Sequence, residues 1–106
     1  IEKEEHPVLI QLRELIQANP DERFTAESLA EKVGFSRSQL HRKLKALTGM
    51  STTTFVNEIR LQMAFTDLQT TTLNISEISY KYGFTDPAYF STLFKKRFGK
   101  TPSEIR

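Results

Sequence analysis

The chain has 106 residues, of which 38% are hydrophobic, enough for one compact domain or two very small ones. It contains no cysteine, which excludes disulfides and thiolate metal ligands. Its apolar runs are too short to cross a membrane and no secretory signal pattern is visible. Because the chain begins with isoleucine rather than methionine, we expect residues 1–7 to link it to a missing upstream domain.

The net charge of +2 conceals a strong segregation of charge along the chain. Residues 1–31 carry eight acidic and three basic side chains, whereas residues 32–106 carry twelve basic and five acidic ones. This asymmetry favours a surface that meets a polyanion while another surface faces water or a partner. The alternative is that the charges mix again in the folded molecule.

Helical patterns run through the whole chain, and the first 50 residues predict three helices. Apolar residues recur at helical spacing from Val8 to Ile16, until the Asn-Pro pair at 19–20 ends the run. Residues that typically cap helices bound the next two: Thr25 and Gly34 for the second, Ser36 and Gly49 for the third. Ser36 and Gln39 also have the spacing of a capping box.

A long helix is predicted next, over residues 52–70, with a length of about 28 Å. The hydroxyl residues at 51–54 supply its cap and first turn, and the threonines at 70–72 mark a turn because threonine is a poor helix former. The last segment, Thr101-Pro-Ser-Glu104, has the form of a capping box with proline at the first helical position. One more helix is therefore predicted to begin near the C-terminus.

The second half of the chain repeats the first at an offset of 49 residues. The sequence SLAEKVGFS at 28–36 matches EISYKYGFT at 77–85, and the offset becomes 50 after one extra residue near 86–88. The matched caps and turn glycines are Thr25 with Asn74, Gly34 with Gly83, and Ser36 with Thr85. Each copy reads as helix, short glycine turn and helix, which is the helix-turn-helix pattern.

The second helix of the first copy, residues 37–47, carries cations and no acidic residue. Helical spacing places Ser38, His41, Arg42 and Lys45 on one face and Leu40, Leu44 and Leu47 on another. Cations near a helix C-terminus complement its dipole, but Arg37 lies in the first turn, where the dipole disfavours it. Arg37 therefore favours a helix that presents its N-terminal half to a nucleic acid, although a plain solvated face is the alternative.

The matching helix of the second copy has a weaker polar face and a strongly basic end. The polar face consists of Ala88, Ser91, Thr92 and Lys95, and the predicted core positions are Phe90, Phe94 and Phe98. Complementing the helix dipole accounts well for Lys96 and Arg97. Tyr89 is predicted to approach a nucleic-acid backbone or base, whereas the other aromatic residues fall at core spacing or follow glycines.

Neither catalytic nor metal-binding patterns occur in the sequence. His6 and His41 lie 35 residues apart, and no nucleophile–base set or phosphate-binding glycine loop is present. We therefore predict no enzymatic activity, no cofactor and no metal. For His41, hydrogen bonding to a base or phosphate is favoured over simple exposure. The alternative function is a helical module that docks an acidic protein partner without binding DNA.

Two stretches of the chain are LAEKVGFSRSQLHRKLKALTG and ISEISYKYGFTDPAYFSTLFKKRFGKTPSEIR, and Arg60-x-x-x-Ala64 lies between them. Together they resemble the DNA-binding domain of AraC/XylS-family bacterial transcription regulators. The resemblance covers about residues 8–106. The first stretch is similar to the version found in two-component regulators, including hybrid sensor kinases. Three positions depart from the family pattern: Thr52 replaces a proline, Ser79 an alanine and Ile105 an aromatic residue.

The resemblance implies an all-α fold of seven helices, in which two helix-turn-helix subdomains, 8–50 and 71–106, are joined by a linker helix at 51–70. It implies that the helices near 37–47 and 87–98 enter successive major-groove segments of duplex DNA. Implied for the whole regulator are contacts with RNA polymerase, dimerisation through the upstream domain and a cytoplasmic location. No membrane contact is expected for this segment.

Site residues are carried over by position. Base or adjacent-phosphate contacts are expected from Arg37, Ser38, His41 and Arg42 in the first subdomain, and from Pro87, Ala88, Ser91 and Thr92 in the second. Phosphate contacts are expected mainly from Lys43, Lys45, Lys95, Lys96 and Arg97. Arg60 matches a family arginine that contacts a phosphate or braces the subdomains.

Overall fold

The computed structural model describes residues 6–106, which form seven α-helices and no strand. The helices are α1 (Pro7–Ala18), α2 (Ala26–Lys32), α3 (Arg37–Thr48), α4 (Thr52–Thr70), α5 (Ile75–Lys81), α6 (Pro87–Phe98) and α7 (Pro102–Ile105). The prediction of a seven-helix, all-α fold is thereby confirmed. Residues 1–5 of the predicted N-terminal linker lie outside the described residues, and His6 and Pro7 begin α1.

The chain divides into two compact units, and the boundary falls inside α4. The first unit comprises residues 6–19 and 23–59, and the second comprises residues 20–22 and 60–106. Each unit contains one helix-turn-helix pair, α2 with α3 in the first and α5 with α6 in the second. The predicted division into subdomains 8–50 and 71–106, joined by a linker helix at 51–70, stays a prediction.

In the first unit, the helix starts predicted from the sequence have the expected caps. The Thr25 hydroxyl accepts from the Ser28 amide at 2.9 Å, and Ser36 and Gln39 form a reciprocal capping box. The buried side chains are mostly aliphatic: Val8, Leu12, Ile16, Leu29, Ala30, Leu40, Leu44, Phe55, Val56 and Ile59. Leu47, which helical spacing places on the face of Leu40 and Leu44, is 41% exposed at the last turn of α3.

In the second unit, half of the buried core residues are aromatic. The rings of Phe84 and Phe90 lie 5.1 Å apart, and those of Phe94 and Phe98 lie 4.7 Å apart, with the planes tilted as aromatic pairs prefer. Capping boxes open α5 at Asn74 and α7 at Thr101, where the sequence predicts a cap and a capping box respectively.

The predicted cap at Thr85 is wrong by one residue. Asp86 caps α6 instead, since its side chain accepts from the Ala88 amide at 2.9 Å and Pro87 takes the first helical position.

The two glycine turns are built alike, down to their backbone hydrogen bonds. In the first, the amides of Gly34 and Phe35 donate to the carbonyls of Glu31 and Ala30. In the second, the matching amides of Gly83 and Phe84 donate to Tyr80 and Ser79. Both glycines have positive φ, +79° and +83°, which side-chain-bearing residues rarely adopt. The internal repeat seen in the sequence is therefore a structural repeat.

Candidate nucleic-acid interface

Helix α3 is oriented by two leucines, and this places its cations in solvent. Leu40 and Leu44 are fully buried in the first unit. Helical geometry then puts Ser38, His41 and Arg42 on the outer side, where all three are exposed. The structure thus brings these three residues, which the sequence predicts to contact DNA, together on one accessible face.

This face borders an open groove of about 610 Å³ in the first unit. One wall belongs to α3, through Arg37, Ser38, His41 and Arg42. The remaining lining residues are Ala26 at the start of α2 and Ser51, Thr52 and Thr53 at the start of α4. The four residues outside α3 were not predicted as part of a site. The hydroxyl run at 51–54 was the available signal, and the sequence supported only a capping role for it.

Arg37, at the edge of the groove, has a carboxylate partner. Its guanidinium lies 3.6 Å from the Glu27 carboxylate, and the two side chains are 67% and 75% exposed. A pair this exposed stabilises a fold by only about 0–1 kcal/mol. The Glu27 carboxylate nevertheless offsets the unfavourable position of Arg37 in the first turn of α3.

Lys43 and Lys45 occupy different surroundings from the predicted base-reading residues. The Lys43 ammonium lies 5.6 Å from the centre of the Phe35 ring, on a second groove that Arg42 also lines. Arg42 therefore lines both grooves. Lys45 donates to the Gly49 carbonyl at 3.1 Å, at the C-terminal end of α3, and stays exposed.

Helix α6 presents a smaller and less polar outer face. Ala88 and Thr92 are exposed, but the Thr92 hydroxyl already donates to the Ala88 carbonyl at 3.0 Å. Pro87 and Ser91 are half-buried. Tyr89 is 54% exposed, which leaves its ring accessible to a ligand.

The cations of α6 are gathered in its last turn. Lys95, Lys96 and Arg97 are all exposed there. The Arg97 guanidinium lies 4.9 Å from the centre of the Phe98 ring. A positive cluster at a helix C-terminus complements the dipole and attracts anions without selecting among them.

Arg60, unlike the cations above, is not exposed. It is buried in the second unit, where its guanidinium donates to the Glu22 carbonyl. Burial lowers the pKa of this guanidinium, while the carboxylates of Asp21 and Glu22 act in the opposite direction. A β-carbon on Gly83 would lie 3.1 Å from the Arg60 Nη1 atom. These contacts all lie within the second unit, so the two predicted roles of Arg60, a phosphate contact and bracing of the subdomains, stay predictions.

Metal sites and membrane spans are two further kinds of feature to consider in the part of the chain that the structure describes. Residues 6–106 contain no group of three or more metal-ligating side chains placed to hold an ion. Their helices lack the combination of length and hydropathy that a bilayer crossing requires.

The repeated glycine turns and the exposed cationic face of α3 define a tandem helix-turn-helix DNA-binding domain. The family model described as "Helix-turn-helix domain" matches residues 29–106. The chain belongs to the AraC-type helix-turn-helix domains.

Individual proteins agree with this assignment. The chain is similar to an AraC-type DNA-binding transcriptional regulator from Chromobacterium violaceum, with a TM-score of 0.88, 34% identity and coverage of 94% of this chain and 89% of that one. It is 43% identical over 86 residues, 81% of its length, to histidine kinase P4 of Formosa agariphila. It is 37% identical over 91 residues, 86% of its length, to the transcriptional activator RhaS of Mannheimia succiniciproducens. The chain spans 6% of the length of that kinase and 34% of that activator.

Proposed function

We propose that this domain recognises a specific duplex DNA sequence with α3 as the principal reader. The observation that carries the proposal is the exposed set Arg37, Ser38, His41 and Arg42, held at an open groove by the buried leucines of α3. Arginine can donate two hydrogen bonds to guanine, and each such pair discriminates against a wrong base by about 1–3 kcal/mol. The N-terminal half of a recognition helix is the part that meets base edges.

Helix α6 is proposed to act mainly as a backbone clamp. The α6 residues predicted to face the DNA groove offer few free hydrogen-bond donors, because Ala88 is apolar and Thr92 is bonded within the helix. Its cations lie in the last turn, where contact with phosphates contributes affinity and salt dependence rather than sequence preference. In this arrangement α3 and α6 take successive major-groove segments, about 34 Å apart along the duplex.

For the whole protein we propose a bacterial transcription regulator of a two-component system. The support is the similarity to a histidine kinase and to a transcriptional activator, both much longer than this chain. Contacts with RNA polymerase, dimerisation through an upstream domain and a cytoplasmic location for the DNA-binding segment belong to this proposal. Reconstituted transcription with the full-length protein would test the first of these.

The decisive experiment starts by selecting binding sites from random duplexes and sequencing them. Affinities of wild type, Arg42→Ala and Lys96→Ala are then measured on the selected site, on single-base variants and on random duplex. Arg42→Ala should lower discrimination at one or two base pairs by about 5- to 150-fold, corresponding to 1–3 kcal/mol. Lys96→Ala should weaken all duplexes alike and reduce the salt slope by about one.

Two results would count against the proposal. Equal losses on selected and random duplex for Arg42→Ala would remove its base-reading role. A salt slope near zero for wild type on duplex DNA would instead favour the alternative, a module that docks an acidic protein.

A further inference from the structure

The start of α4 has two backbone amides without an intrahelical acceptor. The Ser51 hydroxyl accepts from the Thr54 amide at 3.3 Å, and the Ser51 carbonyl accepts from the Phe55 amide at 2.9 Å. The first amides of a helix cannot bond within it, so those of Thr52 and Thr53 remain available. Both residues line the groove beside α3.

Thr52 adds a third donor at the same point. The residue is only 7% exposed, and its side chain lines the groove. Among residues 6–106, its hydroxyl has no hydrogen-bond partner. The hydroxyl oxygen itself is open to the groove, so it can donate a hydrogen bond to a ligand or water there.

The charge around this point is positive. Arg37, His41 and Arg42 line the same groove, and the N-terminus of α4, a helix of 19 residues, contributes the positive end of its dipole. Backbone amides, a hydroxyl and cations converging on one concavity are the features of a phosphate-binding site.

We propose that the start of α4 binds one phosphodiester of the DNA backbone, through the Thr52 hydroxyl and the amides of Thr52 and Thr53. This site rests on the proposed function of α3, which it deepens. Phosphate contacts fix the register of a protein on the duplex. A phosphate held beside Arg37 and Arg42 sets how deep and at what angle α3 enters the groove. Position 52 is therefore a positioning residue for base reading by α3.

The test uses the duplex selected above, with each phosphate in turn replaced by a neutral methylphosphonate. Wild type should lose about tenfold in affinity at one phosphate on the α3 side, as expected for a lost hydrogen bond to a charged group. Thr52→Val, which keeps the shape and removes the hydroxyl, should bind the unmodified duplex about fivefold more weakly. The variant should also lose most of its sensitivity at that single phosphate.

Three further variants separate this role from a structural one. Thr52→Ser restores the hydroxyl and should recover wild-type affinity. Thr52→Pro suits the first helical position and should fold, while losing at least as much affinity as Thr52→Val. Thr66→Val removes an exposed α4 hydroxyl that does not line the groove, and should leave affinity unchanged. Because the Thr52 hydroxyl is neutral, the salt slope should stay the same in every variant.

The outcomes distinguish the two proposals. Wild-type binding to duplex combined with an unchanged methylphosphonate profile for both Thr52→Val and Thr52→Pro overturns the phosphate site and leaves the function of α3 standing. Failure of wild type to bind any duplex overturns both. The last measurement uses inorganic phosphate and follows the NMR shifts of the Thr52 and Thr53 amides. If these amides shift with phosphate but no methylphosphonate changes affinity, the groove binds free anions, and the DNA contact is overturned.

Discussion

The two helix-turn-helix units share a backbone design and differ in what they place on it. Their turns have the same pattern of hydrogen bonds around Gly34 and Gly83, and both begin with a reciprocal capping box. Yet the first unit is mostly aliphatic inside and carries cations on the outer face of its second helix. In the second unit half of the buried core residues are aromatic, and the cations of its second helix, α6, lie in the last turn.

The difference shows that the glycine turn determines the backbone geometry of a unit but not the side chains that its helices carry. A cation at the start of a recognition helix, such as Arg37, is placed for base edges, whereas cations at the end are placed for phosphates. Under the proposed function, two units with the same turn geometry serve as a reader and a clamp because their outer residues differ. The cores diverged as well, since a core needs matched volume rather than a particular residue.

The largest effect should come from the aromatic core. Phe94 is fully buried, and its ring contacts Phe65, Phe90 and Phe98. Phe94→Ala should lower the free energy of unfolding by about 4 kcal/mol, and the matched Leu44→Ala by about 3 kcal/mol, because the larger side chain leaves the larger cavity. Urea denaturation measures both. A greater loss for Leu44→Ala would mean that the aliphatic core is the more tightly packed.

The next largest effect should separate the two turns. Gly34→Ala and Gly83→Ala both force a side chain into positive φ, at a cost of about 1–2 kcal/mol. The space around Gly34 is open, whereas a β-carbon on Gly83 would press on the Arg60 guanidinium at 3.1 Å. Gly83→Ala should therefore lose about 1 kcal/mol more than Gly34→Ala, the low end of the cost of overpacking. Thermal unfolding of the two variants under one condition checks the difference, and equal losses would show that Arg60 adapts freely.

Much of the fold was predictable from the sequence, because caps and glycines are local signals. Thr25, Ser36 and Asn74 cap the helices they were predicted to cap, and the bounds of α4 agree with the predicted 52–70. The cap of α6 was misplaced because the repeat alignment paired Thr85 with Ser36. The structure uses Asp86, which precedes a proline at the first helical position.

The site was predictable only in part. Helical periodicity gives the direction of a side chain around α3, and so it placed Ser38, His41 and Arg42 together. Periodicity does not give how deeply a side chain is buried, and Leu47 is exposed at the end of the apolar stripe of α3. Nor does it bring in residues from another helix. The groove wall at Thr52 and Thr53 depends on how the chain turns back after Gly49, which is a tertiary property.

A smaller effect should come from a polar cluster in the second unit. Asp67 accepts hydrogen bonds from the Lys81 ammonium and the Tyr82 hydroxyl, both at 2.7 Å. The matching positions of the first unit are Lys32 and Val33. Because valine has no hydroxyl to donate, they cannot form the same arrangement. Asp67→Asn should cost about 1–2 kcal/mol at pH 7, as expected for hydrogen bonds to a charged group at a partly exposed site.

The cluster also gives a pH dependence with a definite sign. The hydrogen bond to Asp67 raises the pKa of Lys81, and burial followed by the Asp67 hydrogen bond raises the pKa of Tyr82. Raised pKa values mean that this stabilisation is complete below the unfolded values, about 10.4 and 10, and is lost as pH rises through the folded ones. The difference in unfolding free energy between wild type and Asp67→Asn should be flat from pH 7 to 9 and shrink above about pH 10.5. A difference that grows with pH would contradict this.

The smallest effect on stability should come from Glu27, the partner of Arg37 in the reader unit. Glu27→Gln should change the free energy of unfolding by only about 0.5 kcal/mol, because both side chains are exposed. Its effect on DNA affinity should be opposite in sign and easier to detect. Removing the carboxylate releases the Arg37 guanidinium and takes a negative charge away from the approaching phosphates, so binding should tighten by about twofold to fivefold at low salt.

A double-mutant cycle identifies the cause of that gain. If Glu27 acts by holding Arg37, then Glu27→Gln should lose most of its effect when Arg37 is replaced by Ala, and the coupling should fall as salt is raised. The clamp unit supplies the matched control, since Ser76 occupies the position equivalent to Glu27 and carries no charge. Ser76→Glu should weaken binding only through long-range repulsion, which salt screens, and without coupling to Pro87 at the position equivalent to Arg37. An undiminished gain from Glu27→Gln in the Arg37→Ala background would assign Glu27 to general repulsion of DNA rather than to control of the reading arginine.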